Sequence, residues 1–275
     1  MAGTLYVVAT PLGNLGDLSP RAADTLRRVA AVAAEDTRHS KPLLHHVAST
    51  AELISFHEHS SDRALERILR ILADGRDVAF ITDAGTPVIS DPGVALVAGA
   101  RERGIQVVTI PGPTAVAASL SVSGIGGDRY LFLGFLPRKG SDRRRLLLTA
   151  ASSEWTVVMF EAPNRVTQLL ADLAEVCGPE RQAAVSRELT KVFEETRAGT
   201  LQELSEHYAE APVRGEVTVV LSGTGKQRAE TPRPDPGKRA KALLAEGLSR
   251  KDVANKLVEE TGISRNTAYR LVNEL

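Results

Sequence analysis

The stretch Asp77-Val78-Ala79-Phe80-Ile81-Thr82-Asp83-Ala84-Gly85-Thr86-Pro87-Val88-Ile89-Ser90-Asp91-Pro92-Gly93 constrains the fold of this chain more than any other. Residues 78–81 form a short apolar run of the kind found in strands buried on both faces. The run stops against Asp83, Gly85, Pro87, Pro92 and Gly93, which do not extend a strand and instead build a rigid turn. Helix formers resume over 94–103. Strand, structured loop and helix in that order put the loop at the carboxyl end of the strand, where open α/β sheets bind ligands. Glycine lets backbone N–H groups approach a ligand closely, and proline sets the shape of the loop before anything binds. The plainer alternative is a βα connection tightened by Gly and Pro.

The same pattern recurs before and after this stretch. An apolar run over 5–10 leads into Pro11-Leu12-Gly13-Asn14-Leu15-Gly16-Asp17, and Ser19-Pro20 then caps a helix reaching about residue 29. The loop has neither G-x-G-x-x-G nor a G-K-[ST] ending, so little marks it as a nucleotide-triphosphate site. A strand over 105–110 ends in Pro111-Gly112-Pro113-Thr114-Ala115, followed by a helix of small residues over 115–122. Between these lie a strand over 31–34 and a strand over 53–56. The first ends in the seven polar residues of Glu35-Asp36-Thr37-Arg38-His39-Ser40-Lys41, which read as a solvated loop or as part of a cleft. The second ends in His57-Glu58-His59, a possible ligand pair or a polar loop before an amphipathic helix over 62–72. His39, His45 and His46 combine with no carboxylate at a zinc-ligand spacing, so no metal is expected. Alternating strands and helices with Gly/Pro loops at three strand ends predict a parallel sheet with a crevice along one edge.

A second α/β unit is expected over 124–224. Strands are predicted over 130–135, 156–160, 183–186 and 215–221, with helices after Glu161-Ala162-Pro163-Asn164-Arg165 and over 201–208. Shorter links between extended segments suit a mixed sheet. Five basic residues within 136–145, including Arg143, Arg144 and Arg145, could meet a phosphate backbone or form an ordinary solvated face. Residues 225–237 read as a linker rich in Gly, Pro and charge. Beyond it, three short amphipathic helices over 238–246, 249–261 and 264–275 are divided at Gly247 and Gly262, a helix-turn-helix pattern. This tail carries eight Lys/Arg against five Asp/Glu, and Ser264-Arg265-Asn266-Thr267 with Arg270 would be the exposed start of its last helix. A simple three-helix packing module fits nearly as well.

Composition narrows the class. At 275 residues the chain can bury a substantial core in two or three domains. Its net charge is zero, so nucleic-acid contact must come from local patches and not from a global field. The single cysteine, Cys177, leaves no disulfide framework and suits a reducing cytoplasm. No apolar run reaches the length of a membrane span, and the expected location is cytoplasmic.

Taken in order, several motifs resemble one family. They are Val8-Ala9-Thr10-Pro11-Leu12-Gly13-Asn14, Glu35-Asp36-Thr37-Arg38, Thr82-Asp83-Ala84-Gly85-Thr86-Pro87, Ser90-Asp91-Pro92-Gly93, Pro111-Gly112-Pro113-Thr114-Ala115, Gly134-Phe135-Leu136-Pro137 and Arg187-Glu188-Leu189-Thr190-Lys191. Together they resemble the bacterial small-subunit ribosomal RNA cytidine 2′-O-methyltransferases of the tetrapyrrole-methylase fold, across essentially the whole chain. The resemblance implies a two-domain α/β methyltransferase, usually a homodimer, with S-adenosylmethionine in the cleft between its domains. It implies as target the ribose 2′-hydroxyl of a decoding-centre cytidine in the 16S rRNA of the 30S subunit. The wider fold family has Gly-Asp-Pro in the central loop where this chain has Gly85-Thr86-Pro87, a departure that resembles the RNA-modifying branch. By motif position, Pro11, Asp83, Gly85, Thr86, Pro87, Ile89, Thr114 and Ala115 are expected to line the cofactor.

Methyl transfer from a sulfonium is an in-line displacement that depends above all on holding donor and hydroxyl aligned. A ribose hydroxyl is a poor nucleophile until it loses its proton, so a base is expected nearby. Glu188, Glu194 and Asp36 are candidates, and Lys191 could polarise the hydroxyl or hold a phosphate. Each could equally be an ordinary ion pair. Two other functions compete. A tetrapyrrole-type small-molecule methyltransferase would share the cofactor loops but leave the basic run and the helical tail unexplained. A non-enzymatic helix-turn-helix regulator would use the tail and leave the three loops without purpose.

Overall fold

The computed structural model describes residues 1–57, 60–210, 213–225, 236–246, 248–261 and 263–273. Glu58 and His59, most of the expected linker, and the expected helix breaks at Gly247 and Gly262 lie outside them. The chain divides into two compact units, Met1–Gly223 and Thr224–Leu275.

The first unit contains two sheets. Strands β1 (Thr4–Val8), β2 (Ala31–Ala34), β3 (Glu52–Ser55), β4 (Val78–Ile81) and β5 (Gln106–Ile110) form a sheet in the order β3-β2-β4-β1-β5. Every pair in it is parallel. Helices α1 (Pro20–Arg28) and α2 (Thr37–His46) cover one face, and α3 (Asp62–Ala73) and α4 (Val94–Glu102) cover the other. The two-residue period of a strand divides β4 between these layers. Val78 and Phe80 pack with Leu69, Leu72 and Leu96, while Ala79 and Ile81 pack with Leu26, Leu43 and Leu44. All residues of β2 and β4 are buried, as expected for central parallel strands. Helix α5 (Ala115–Val122) follows β5.

Polar residues 35–41 are not a loop throughout, because α2 begins at Thr37. The Asp36 carboxylate accepts a hydrogen bond from the Arg38 amide at 2.8 Å and so caps the helix, which buries Ser40, Leu43 and Leu44. The apolar residues that reveal the helix come only after the polar run.

The second sheet has the order β6-β7-β10-β8-β9, with β6 (Tyr130–Phe135), β7 (Thr156–Glu161), β8 (Gln182–Arg187), β9 (Glu195–Thr200) and β10 (Val217–Leu221). Only β6 and β7 pair in parallel; the other pairs are antiparallel, so the sheet is mixed. Strand β9 was not expected. Its sequence, Glu-Thr-Arg-Ala-Gly-Thr, lacks the apolar run of a buried strand, since it lies at the sheet edge with no residue fully buried. Helices α6 (Ser141–Ser152), α7 (Val166–Cys177) and α8 (Leu201–Glu210) pack against this sheet through Leu147, Leu169, Leu173 and Leu204.

The second unit holds helices α9 (Pro236–Ala245), α10 (Arg250–Thr261) and α11 (Arg265–Asn273) around Leu243, Val253, Leu257 and Val272. Ser249 and Ser264 cap the last two helices by accepting hydrogen bonds from the Asp252 and Thr267 amides, each at 3.2 Å. Arg265, Asn266 and Arg270 are exposed on α11, with the Arg265 guanidinium 5.9 Å from the Tyr269 ring centre. Among the described residues, no helix is long and apolar enough to cross a membrane.

Candidate active site

A cleft of about 580 Å³ lies between the two sheets of the first unit. That volume falls in the range of small-molecule sites. One wall is made by loops at the carboxyl ends of β1, β4 and β5 and includes Asp83, Gly85, Thr86, Ile89, Thr114 and Ala115. The opposite wall comes from the second sheet, through Phe135, Phe160, Glu188, Lys191 and Thr218. A larger recess of about 740 Å³ lies along α3, but its lining is almost wholly charged and contains none of the strand-end loops.

The loops are locked to one another. Thr10 and Gly85 exchange backbone hydrogen bonds of 2.9 and 3.1 Å, and the Thr10 hydroxyl donates to the Thr82 carbonyl. The Thr86 hydroxyl donates to the Pro113 carbonyl at 3.1 Å, joining the second loop to the third. Gly85 takes φ +78°, and a Cβ there would stand 3.2 Å from Leu12, so both conformation and space favour glycine. Pro11 and Pro87 are buried behind this wall and do not line the cleft. They stiffen the surface on which the other six expected residues stand.

The two walls come into close contact at Gly13 and Gly134. A Cβ on Gly13 would lie 2.3 Å from Lys191 Cγ, and one on Gly134 would lie 2.8 Å from Ser90 Oγ. Lys191 therefore crosses from the second sheet onto the first loop. Among the described residues, the non-glycine positions with positive φ are Val88, Ser90, Glu188 and Thr190 on the cleft loops, and Ala48 elsewhere. Such backbone costs about 1–3 kcal/mol per residue and persists where surrounding structure holds it.

Two groups of charges face each other across the cleft. On the first wall are Glu35, Asp83 and Asp91. Burial, with the charges of Glu35 and Asp83, pushes the Asp91 carboxyl up to about 6 against the pull of the Thr82 hydroxyl. Burial and the charge of Asp83 push Glu35 up as well. Asp83 Oδ1 accepts the Asp36 amide at 3.2 Å, and its Oδ2 meets His39 Nδ1 at 3.2 Å. Nothing in the Ser90-Asp91-Pro92-Gly93 motif itself marks Asp91 as functional; its partial burial beside two other acids is a tertiary property.

On the second wall, Lys191 Nζ lies 3.0 Å from Glu188 Oε1 and 3.2 Å from Glu216 Oε2. Partial burial pulls the ammonium down, but its bonds to Glu188 and Glu216 outweigh this and hold it above its ordinary value. Burial likewise pushes Glu188 up, while the Lys191 hydrogen bond, the Glu216 amide and nearby positive charge bring it below. The pair is thus an ammonium and a carboxylate near neutral pH. The other two acid–base candidates do not line the cleft. Exposed Glu194 accepts a 2.6 Å hydrogen bond from the Thr190 amide and closes its own loop. Asp36 caps α2, and hydrogen bonds from Arg38 hold its carboxyl far below its ordinary value.

The basic run is also reorganised by folding. Arg143 is buried, donating to Asp172 Oδ2 at 2.6 and 3.0 Å and to the Pro137 carbonyl, with Glu161 4.0 Å away. Arg145 pairs with Asp142. Arg143 is therefore unavailable to a phosphate backbone.

Residues 4–205 match the family described as Tetrapyrrole (Corrin/Porphyrin) Methylases. Full-length relatives narrow this further. The ribosomal RNA small subunit methyltransferase I of a Synechocystis species is 43% identical over 99% of this chain and 98% of its own length. The protein of the same name from Xylella fastidiosa strain Temecula1 is 45% identical over 97% of this chain and 98% of its own. The chain belongs to the ribosomal RNA small subunit methyltransferase I family. It is an S-adenosylmethionine-dependent methyltransferase. Solved structures agree on the fold. Uroporphyrin-III C-methyltransferase from Thermus thermophilus, complexed with S-adenyl homocysteine, superposes with TM-score 0.59 at 18% identity, covering 80% of this methyltransferase and 97% of that chain. The cobalt precorrin-4 methyltransferase CbiF superposes with TM-score 0.63 at 15% identity, covering 80% and 94%.

Proposed function

We propose that this methyltransferase methylates the ribose 2′-hydroxyl of a decoding-centre cytidine in 16S rRNA, acting on the 30S subunit in the cytoplasm. The family relationship carries the RNA substrate, since its relatives bear the name of that activity over essentially their whole length. Exposed Val192 and Phe193, beside the cleft residue Lys191, offer apolar surface of the kind a homodimer contact buries.

The acidic wall suits the methyl donor. S-adenosylmethionine supplies a methyl group on a sulfonium and carries a net positive charge. Glu35, Asp83 and Asp91 crowd negative charge into the cleft, and a cation there relieves their mutual repulsion. The loop wall of Gly85, Thr86, Ile89, Thr114 and Ala115 supplies close backbone and small side chains against which the donor lies. Asp91 and its neighbours then discriminate in favour of the charged donor over its uncharged sulfide product.

The opposite wall acts on the hydroxyl. Lys191 remains an ammonium and steadies negative charge as the ribose oxygen gives up its proton. Glu188, bonded to Lys191, accepts that proton and passes it to solvent. The ribose oxygen–methyl bond forms as the sulfur–methyl bond breaks. Mapping ribose methylation on 16S rRNA from a deletion strain, with and without this protein added back, tests the reading. A single cytidine methylation restored by the protein is expected. Unchanged methylation in the deletion strain, or restoration on a base atom, would overturn it.

A further inference from the structure

We propose that a recess beside the cleft, whose Arg138 is unpaired among the described residues, binds a backbone phosphate of the RNA strand entering the cleft. This rests on the RNA reading above and adds a site to it. The recess, of about 400 Å³, is lined by Arg138, Arg143, Ala162, Asn164, Arg165 and Gln168, and Ala162 also belongs to the cleft wall. The two cavities are therefore neighbours, and a strand presenting its ribose to the cleft carries its phosphates past the recess.

The choice among these side chains follows from what the fold has already engaged. Arg143 is committed to Asp172 and the Pro137 carbonyl. Arg165 donates to the Leu136 carbonyl at 2.8 Å and pairs with buried Glu161 at 3.1 Å. The Gln168 amide nitrogen donates to Asp172 at 2.7 Å. Arg138 and Asn164 are exposed and make no hydrogen bond or ion pair with a described residue. The acids nearby, Glu161 and Asp172, are both already paired with arginines, which leaves the recess with a net positive charge. A guanidinium presents two parallel N–H donors that match two phosphate oxygens, and the Asn164 amide adds another donor. Arg165 and Arg143 hold the floor in place and leave Arg138 to meet the ligand.

The test compares Arg138→Ala, Arg138→Lys and a control, Arg144→Ala, in the full-length protein. Arg144 belongs to the same basic run, is exposed, and lines a different surface recess. Binding to purified 30S subunits is measured against salt concentration, alongside S-adenosylmethionine affinity by calorimetry. Arg138→Ala is expected to weaken 30S binding about tenfold and to reduce the salt slope by about one, with donor affinity unchanged. Arg138→Lys should recover only part of the loss, since an ammonium replaces the planar fork. Arg144→Ala should change binding less than threefold. Equal losses from Arg138→Ala and Arg144→Ala would indicate a diffuse basic surface and overturn the recess assignment, as would unchanged 30S binding by Arg138→Ala. Inorganic phosphate is titrated as a separate arm, with no saturation expected in the millimolar range. Saturable phosphate binding lost in Arg138→Ala without loss of 30S binding would instead assign the recess to a free anion. Because the readout is binding, wild-type protein that binds 30S subunits but does not methylate them refutes the proposed reaction while still testing the recess.

Discussion

Replacing Asp91 by Asn should make the cofactor-free protein more stable and the donor bind less tightly. Burial beside Glu35 and Asp83 raises the Asp91 carboxyl from 3.8 to about 6 in the folded chain. A rise of that size disfavours the ionised form by about 3 kcal/mol, which solvent reaching a partly buried group reduces to roughly 1–2 kcal/mol. Between those two values the folded protein binds more protons at Asp91 than the unfolded chain, so stability falls as pH rises from about 4 to about 6. Asn keeps the shape and removes the charge. The variant should therefore match wild type near pH 4 and exceed it above pH 6.5, by about 3–6 °C in Tm for a unit of this size. Thermal unfolding of both proteins at pH 4.5 and pH 7.5, without donor, measures the difference. Titration with S-adenosylmethionine and with its sulfide product then measures the cost. The cationic donor should lose about tenfold in affinity, near 1.4 kcal/mol, and the product much less. Wild type should release a proton on binding donor at pH 6, seen in calorimetry as heats that vary with the buffer's ionisation enthalpy. A stability gain equal at both pH values, or equal losses for donor and product, would refute the electrostatic account of this wall.

Other perturbations separate the remaining parts. Gly85→Leu forces an L side chain into φ +78° against Leu12, and calorimetry should show strongly reduced donor affinity. Arg143→Ala leaves Asp172 and Glu161 short of a buried partner and should destabilise the fold by about 3 kcal/mol in urea unfolding, unlike Arg138→Ala. Lys191→Met should lower the single-turnover methylation rate by at least tenfold while leaving donor affinity within about threefold, if its ammonium acts on the hydroxyl. Truncation after Gly223 should retain donor affinity and weaken 30S binding, and Arg265→Ala with Arg270→Ala should reproduce part of that loss with a shallower salt slope.

Much of the first sheet could be read from local chemistry. Ala31–Ala34 and Val78–Ile81 are short, unbroken apolar runs, the pattern a strand covered on both faces requires. Ser19-Pro20 marks the start of α1, and its hydroxyl accepts the Ala22 amide at 3.1 Å. The Gly/Pro clusters at 11–16, 83–93 and 111–115 identify the loop wall, because turn residues act on their own backbone wherever the chain goes. The sequence also predicts a three-helix tail with a mild excess of basic residues beyond the α/β elements.

Tertiary structure decided everything that depends on which distant residues meet. Strand β9 carries no apolar pattern, because a sheet-edge strand is held by its pairing with β8 and buries little. Arg143 and Arg138 stand in one basic run, yet Arg143 is buried on Asp172 of α7 while Arg138 stays exposed with no ion pair to a described residue, because the fold sets only the former against that acid. Lys191 reaches the first loop only because Gly13 leaves it room. Asp91 and Glu35 are ordinary acids in the sequence. Burial beside each other and Asp83 changes their proton affinity, because electrostatic energy depends on distance and solvent exposure, which residue order does not specify.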